Sequence, residues 1–197
     1  MKLRYLAPVV FLALTTVVAH AQNEFGLYIN PIATHVSNSK LDTGPFAYLG
    51  PNSTGRTFWG VNLGGYDDFY HAANGITAGI DVRWDDLRAN NAVLKDFLVG
   101  LRVSGKPFTR PFKPYFQASV GEGATKSPTS SISVKKFDYR ITGGVDYTLQ
   151  RHIDFRIIEV GWGQLTTISS ATVGAGGNIA IPSSNMISVS TGLVFRF

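Results

Sequence analysis

The sequence predicts an all-β fold, an eight-stranded antiparallel up-and-down transmembrane β-barrel. Three observations lead to this prediction. Apolar and polar residues alternate with a period of two along most of the chain. Long and short connections between these runs follow one another in turn, as they do in up-and-down barrels. The polar phase of the runs contains many glycines and charges of both signs, which suits the interior of a small barrel.

The beginning of the chain has the layout of a secretory signal peptide. Two basic residues precede an apolar stretch over residues 6–18, and Ala19 and Ala21 supply the small side chains of a cleavage site. We expect residues 1–21 to be removed and residues 22–197 to form one barrel domain. This domain would keep 16 of the 18 basic residues and all 13 acidic ones, a net charge of +3.

Composition excludes several classes of site. Cysteine is absent, so disulfides, thiolate zinc sites and a lipidated cysteine are impossible. The modest net charge and the lack of a nucleic-acid-binding motif argue against nucleic acid as a partner. After the signal peptide, no segment reaches the roughly 18 uninterrupted apolar residues of a membrane-spanning helix. A chain of this kind can cross a membrane only as a closed sheet, because an open edge leaves backbone groups unpaired in lipid.

Four alternating runs occupy the first half of the barrel domain. The first contains Pro31, which has no N–H to donate to a ladder, so we expect an irregularity there. In the second, Trp59 and Gly60 fall on opposite faces, and the third sets Asp81 against its apolar neighbours. The fourth alternates in the same way. These four predicted strands cover residues 25–34, 59–65, 76–84 and 97–103.

Four further runs follow in the second half. The fifth and sixth alternate regularly, whereas the seventh changes phase at the adjacent Ile157 and Ile158. One extra residue in a β-bulge would restore its register, so we predict a bulge there. The eighth keeps its alternation up to Phe197, although chain ends usually fray. These four predicted strands cover residues 116–120, 139–147, 153–164 and 187–197.

The connections between the runs predict how the strands are ordered. An up-and-down barrel places all the long loops at one end, and the short turns with both termini at the other. A β-sandwich would give no reason for long and short connections to alternate. The long predicted connections are residues 37–55, 85–93, 122–136 and 165–184, and the short ones are 66–74, 105–111 and 148–151.

Alternation alone does not say which face lies inside. A soluble lipocalin-like barrel would turn the apolar face inward, whereas a transmembrane barrel would turn it toward lipid. Aromatic residues near the strand ends match the girdles of membrane barrels, and buried charges need partners of opposite sign. We therefore predict a transmembrane barrel with a lumen charge network. Its predicted members are Asp81, Arg83, Asp96, Arg102, Arg140, Asp146, Asp154, Arg156 and Glu159.

Several of these runs carry a family resemblance, among them "GITAGIDVRW", "DFLVGLRVS", "KPYFQASVGEG" and the closing "STGLVFRF". The mature chain resembles the small eight-stranded outer-membrane barrels of the OmpA/OmpX type over nearly its full length. The resemblance implies location in the cell outer membrane. It also implies an assembly signal in the last strand, read by the barrel-assembly machinery and formed here by Val189, Leu193, Phe195 and Phe197. OmpA proper continues into a periplasmic peptidoglycan-binding domain that this sequence lacks, so we expect no cell-wall tether.

A histidine and a serine two residues apart raise an enzymatic alternative. The run "HVSN", which begins at His35, resembles the His-x-Ser-Asn signature of outer-membrane lipid A deacylases. A histidine beside a serine hydroxyl can act as its general base if a carboxylate orients the ring. Here the motif follows the first strand instead of a late one, and no acidic partner can be assigned. We expect a non-enzymatic protein, with a lipid A-modifying enzyme using His35 and Ser37 as the less favoured alternative.

The predicted function is structural or based on surface contact. Envelope integrity, adhesion or lipopolysaccharide contact through long extracellular loops would fit this fold. A narrow porin-like channel through the charged lumen is the alternative, although eight strands leave an interior that side chains can fill. We expect no cofactor and no metal, a monomer, and outer-membrane lipid and lipopolysaccharide as partners. The loop cations that could meet lipopolysaccharide phosphates are Lys40, Arg88, Lys126, Lys135 and Lys136.

Overall fold

Eight antiparallel strands close into a barrel in the computed structural model, so the predicted fold class is confirmed. The structure describes residues 24–41, 47–50, 53–73, 75–105, 111–129, 133–166 and 183–197. Each strand pairs with its neighbours in sequence, and β1 pairs with β8, which removes the free edges of the sheet. The strands are β1 (Glu24–Asn38), β2 (Gly55–His71), β3 (Thr77–Ala89), β4 (Ala92–Ser104), β5 (Phe112–Lys126), β6 (Ser133–Gln150), β7 (Ile153–Thr166) and β8 (Ser184–Arg196).

The apolar face of the sheet lies on the outside. Trp59 and Leu101 expose 67% and 66% of their surface, whereas Arg83 and Arg140 expose only 2% each. In a lipocalin-like barrel the two faces would be exchanged. An outward apolar belt on a closed sheet is the arrangement of a transmembrane barrel, whose outer surface is covered by lipid. No helix in the described part of the chain is long and apolar enough to cross a membrane.

The connection between β3 and β4 differs from the prediction. A long loop over residues 85–93 is predicted, but only Asn90 and Asn91 separate the two strands. Both residues have positive φ, 44° and 67°, as the tight type I′ turn of a hairpin requires. Asp85 belongs to β3, where it lies opposite Asn62 on β2 and Asp96 on β4, and its carboxylate pairs with Arg140 inside the barrel.

The prediction that long and short connections alternate strictly is therefore wrong. β5 and β6 also extend into a predicted long loop and shorten it. Both described chain ends nevertheless lie at one end of the barrel, which we call the terminal end, and the opposite end is the loop end. The connections are residues 39–54, 90–91, 127–132 and 167–183 at the loop end, and 72–76, 105–111 and 151–152 at the terminal end.

The two predicted irregularities have different outcomes. The register of β7 shifts between Arg156 and Glu159, and Ile157 and Ile158 both face outward, so the predicted β-bulge is present. The extra residue turns Glu159 back into the lumen. At Pro31 the pairing with β2 continues, while the pairing with β8 skips this residue and the one before it without changing register.

Candidate functional site

The nine charged residues that the sequence assigns to the lumen are all buried inside the barrel, and none exposes more than 4% of its surface. Four other buried charges were missed by the prediction: Asp68, Asp85, Lys136 and Asp138. Lys136 was expected in a basic loop, but β6 begins before it and the alternation turns its side chain inward. Lys136 lies over the ring of Tyr48, and the other buried charges form three layers along the barrel axis.

The layer nearest the loop end is built around Arg140. Its guanidinium group contacts Asp85 at 2.5 Å, Asp96 at 2.8 Å and Asp138 at 3.0 Å. One cation therefore serves three carboxylates, which come from β3, β4 and β6 itself. The side-chain amide of Asn62 on β2 also donates to Asp85. Because these groups are removed from water, only their mutual pairing offsets the cost of their burial.

The middle layer joins two arginines through one carboxylate. Glu159 accepts from Arg83 at 3.1 Å and from Arg156 at 3.2 Å. Arg156 also donates to Asp146 at 2.9 Å, and Gln117 donates to Asp81 at 2.6 Å. The layer thus links β3, β5, β6 and β7 across the lumen by charge-assisted hydrogen bonds, which are the stronger kind.

Tyrosine rings fill the space between these charges. Tyr28 donates to Asp81 at 2.9 Å, and its ring occupies the space where a side chain at Gly64 would stand. Tyr115 covers Gly144 in the same way. Gly64 and Gly144 therefore make room for aromatic rings. Sequence reasoning missed these tyrosines because it counted tyrosine as apolar, although their position in the polar phase of the alternation indicates the lumen.

The third layer opens toward the terminal end. Arg102 contacts Asp68 at 2.8 Å and Asp146 at 3.5 Å. Beyond it, Arg196 on β8 pairs with Asp154 at 2.7 Å. A cavity of about 170 Å³ lies among these residues and is lined mainly by charged and polar side chains. The lumen therefore has a polar vestibule at this end.

An apolar cluster, here called the apolar cap, closes the lumen at the loop end. Two of its members, Tyr48 and Leu49, come from the connection between β1 and β2 and expose 2% and 1% of their surface. The Tyr48 ring packs against Phe58 with centroids 6.0 Å apart, and its hydroxyl lies 2.6 Å from that of Ser184 on β8. The inward-facing strand residues of the cap are Ile32, Val36, Phe58, Leu87, Ala92, Leu94, Leu165 and Met186.

Four cationic side chains lie on the outer surface of β3 to β6 at the loop end. The strand register places them in two adjacent rows, one pair flanking Val93 and the other flanking Ala124. Three of them were predicted as loop cations, and Lys95 was missed because it lies within a strand. Lys40, also predicted, is exposed just beyond β1. We call this surface the cation patch; it consists of Arg88, Lys95, Lys126 and Lys135.

Two carboxylates accompany the cation patch. Asp86 lies 3.4 Å from both Arg88 and Lys95, and Glu122 lies 2.8 Å from Lys135. Four cations thus face two anions, and the side chains of Arg88 and Lys135 are each 72% exposed. The next row toward the middle of the barrel contains outward-facing aromatic rings, those of Trp84, Phe97 and Phe137.

The predicted catalytic pair does not form a triad. His35 faces outward near the loop end, and its Nδ1 lies 3.0 Å from the Thr57 hydroxyl. No described carboxylate contacts this ring, so the described residues do not supply the acidic group that would orient it as a general base for Ser37. Within the described ranges, no group of three or more histidine, aspartate or glutamate side chains is arranged to hold a metal ion.

The residues of the predicted assembly signal lie on the outer face of the last strand. Val189, Leu193 and Phe195 are exposed along β8. Phe197 follows the strand; its backbone N–H donates to the carbonyl of Phe25 at 2.9 Å, and the two rings lie 6.0 Å apart. These contacts continue the seam between β8 and β1. The predicted cleavage residues Ala19 and Ala21 lie outside the described residues.

Comparisons with known proteins concern the fold. No family model and no curated protein matches the sequence. Neisserial surface protein A is 13% identical, with a TM-score of 0.56 over 88% of this chain and 97% of that chain. Ail, the attachment invasion locus protein of Yersinia pestis, is 12% identical, with a TM-score of 0.51 over 89% of this chain and 99% of that chain. This chain has the fold of the small eight-stranded outer-membrane β-barrels.

Proposed function

We propose that this protein is a non-enzymatic outer-membrane barrel that binds lipopolysaccharide at the cation patch and serves envelope integrity or surface contact. The observation that carries this proposal is the contrast between a filled lumen and a charged outer rim. The arginines of the lumen are paired with buried carboxylates, whereas the cations of the rim are exposed. The outward-facing His35 has no acidic partner among the described residues, which disfavours the enzymatic alternative.

The position of the cation patch matches the level of lipid headgroups. Aromatic rows in membrane barrels mark the boundary between hydrocarbon and headgroups, and the patch lies directly beyond such a row. Neighbouring strands are about 4.8 Å apart, so one phosphate can contact cations on two strands. With both termini in the periplasm, the barrel presents its loop end to the lipopolysaccharide leaflet. Lipid A phosphates are then the nearest anions outside the protein.

A variant in which all four cations of the patch become glutamine should bind lipopolysaccharide about a hundredfold more weakly. Cations near an anionic membrane surface each contribute about 1 kcal/mol, and two carboxylates already neutralise part of the patch. Affinity is measured by titrating purified lipopolysaccharide into the refolded protein. Arg151→Gln, at the terminal end, is the control and should bind as the original protein does. Equal binding by the fourfold variant and the original protein contradicts the proposal.

The filled lumen predicts a protein that does not conduct ions. Purified protein in planar bilayers should give no steady single-channel conductance. The double variant Tyr48→Ser, Leu49→Ser should remain silent too, because the Arg140 layer lies beneath the apolar cap. Steady conductance of the original protein would favour the porin-like alternative. Conductance in the cap variant alone would show that the cap, and not the charged layer, forms the seal.

A further inference from the structure

Among the described residues, one acidic side chain on the lipid-facing surface has no partner. Three carboxylates of the described strands face outward: Asp67, Asp86 and Glu122. Asp86 and Glu122 lie at the loop end and pair with cations of the patch. Asp67 lies on β2 toward the terminal end and forms no hydrogen bond or ion pair with any described residue. Its Oδ1 atom is covered by the protein yet has no hydrogen-bond donor.

The neighbours of Asp67 are apolar. It lies opposite Phe25 on β1 and Ile80 on β3. Phe25 contacts Phe197 and belongs to the aromatic residues at the terminal end of the barrel. A carboxylate on the lipid-facing surface destabilises a barrel unless a counter-charge meets it, and such a residue in a membrane segment points to a function. At the level of the aromatic residues, a lipid headgroup can supply that counter-charge.

A groove of about 550 Å³ on the outer surface begins at Asp67. It follows β2 and β3 toward the middle of the membrane and passes over Gly65, which contributes no side chain. Asp67 and Leu63 are four residues apart on one strand, or about 13 Å at 3.3 Å per residue. A phospholipid of the leaflet at the terminal end has the same orientation, with its headgroup at the boundary and its acyl chains toward the centre. The apolar walls include Leu27, Leu63, Ile80 and Val82.

We propose that this groove binds one phosphatidylethanolamine molecule. Its primary ammonium group donates a hydrogen bond to Oδ2 of Asp67, since Oδ1 is covered by the protein, and one acyl chain lies along Gly65. Charge-assisted hydrogen bonds of this kind are stronger than neutral ones. Phosphatidylcholine carries the same charge but has no N–H to donate, and the anionic headgroup of phosphatidylglycerol is repelled by the carboxylate. The groove extends as far as Trp84 and Phe97, but the headgroup position at Asp67 lies toward the opposite end of the barrel from the cation patch and does not depend on lipopolysaccharide binding.

Native mass spectrometry tests this proposal with protein released from nanodiscs that contain equal parts of phosphatidylethanolamine, phosphatidylcholine and phosphatidylglycerol. The original protein should retain about ten times as much phosphatidylethanolamine as either of the other two lipids. One hydrogen bond to a charged group contributes enough free energy for this difference. Asp67→Asn should remove this preference. Asp86→Asn, the same change at another outward-facing aspartate, should preserve it. Gly65→Val, which adds a side chain to the groove, should reduce the retention of all three lipids.

Four results would overturn the proposal. Three of them are equal retention of the three lipids by the original protein, an unchanged preference in Asp67→Asn, and equal loss of the preference in Asp86→Asn. The fourth is retention of phosphatidylcholine at the level of phosphatidylethanolamine, which would rule out the hydrogen bond and with it the primary ammonium as the ligand. Electrophoresis with and without heating checks that each variant is folded. Asp67→Ser provides a second neutral variant if Asp67→Asn fails to fold.

Discussion

Replacing Arg140 with leucine is expected to lower the free energy of unfolding by at least about 3–5 kcal/mol, the usual cost of removing one partner of a buried ion pair. The guanidinium group of Arg140 is the cation that Asp85, Asp96 and Asp138 share, at 2.5 to 3.0 Å. Without it, three buried carboxylates crowd one layer of the lumen. Urea-dependent unfolding of the refolded protein in lipid vesicles, followed by tryptophan fluorescence, measures the loss.

Two further variants make the Arg140 experiment specific. Arg88→Leu is the same change on the outer surface, where the side chain is 72% exposed and pairs with Asp86 as its one acidic partner among the described residues. Exposed ion pairs contribute about 0–1 kcal/mol, so the free energy of unfolding of this variant should be close to that of the original protein. Changing the three aspartates of the layer to asparagine should restore much of the stability lost in Arg140→Leu. An Arg140→Leu protein as stable as the original would contradict the role assigned to this layer.

Deleting Phe197 should reduce the amount of folded barrel in outer-membrane fractions by about tenfold or more, since a loss of 1.4 kcal/mol already changes an equilibrium tenfold. The deletion removes the N–H that donates to Phe25 and the ring that packs against it. Both contacts hold the seam between β8 and β1, and an unpaired edge is not tolerated in hydrocarbon. Electrophoresis of unheated membrane fractions measures the folded form.

Substitutions at the same position separate the role of the ring from that of the backbone. Phe197→Trp keeps an aromatic ring and the N–H and should assemble normally. Phe197→Ala keeps only the N–H and should fall between the original protein and the deletion. If the deletion assembles as well as Phe197→Trp does, neither the seam contacts nor the proposed assembly signal is needed at this position.

The strands and their faces could be predicted because a period of two has only two phases. Once lipid is assigned to the apolar phase, every residue of the other phase enters the lumen, as Arg83 and Glu159 do. The doubled Ile157–Ile158 could be predicted for the same reason, since one extra residue is the smallest change that restores the phase. The turn at Asn90 was missed because polar residues of β3 were interpreted as loop residues, although they belong to the lumen phase.

The pairing inside the lumen could not be predicted from the sequence. Which carboxylate meets Arg140 depends on the register between strands and on their tilt, and alternation fixes neither. The apolar cap was missed because Tyr48 and Leu49 lie in a connection without periodicity. The cation patch was predicted only in part, since Lys95 has the same charge as a loop cation but lies inside an apolar run.

The ion pairs of the lumen join residues that are far apart in sequence, and this affects how the barrel folds. Arg83 and Glu159 are 76 positions apart, and Arg196 and Glu24 are 172 apart. A partial sheet of four or five strands therefore carries inward-facing charges whose partners lie on strands that have not yet joined the sheet. Such a sheet is poorly suited to hydrocarbon, because unpaired charges cost several kcal/mol each there. Closure and insertion are then expected to occur together, and the finished barrel should unfold as a single cooperative unit.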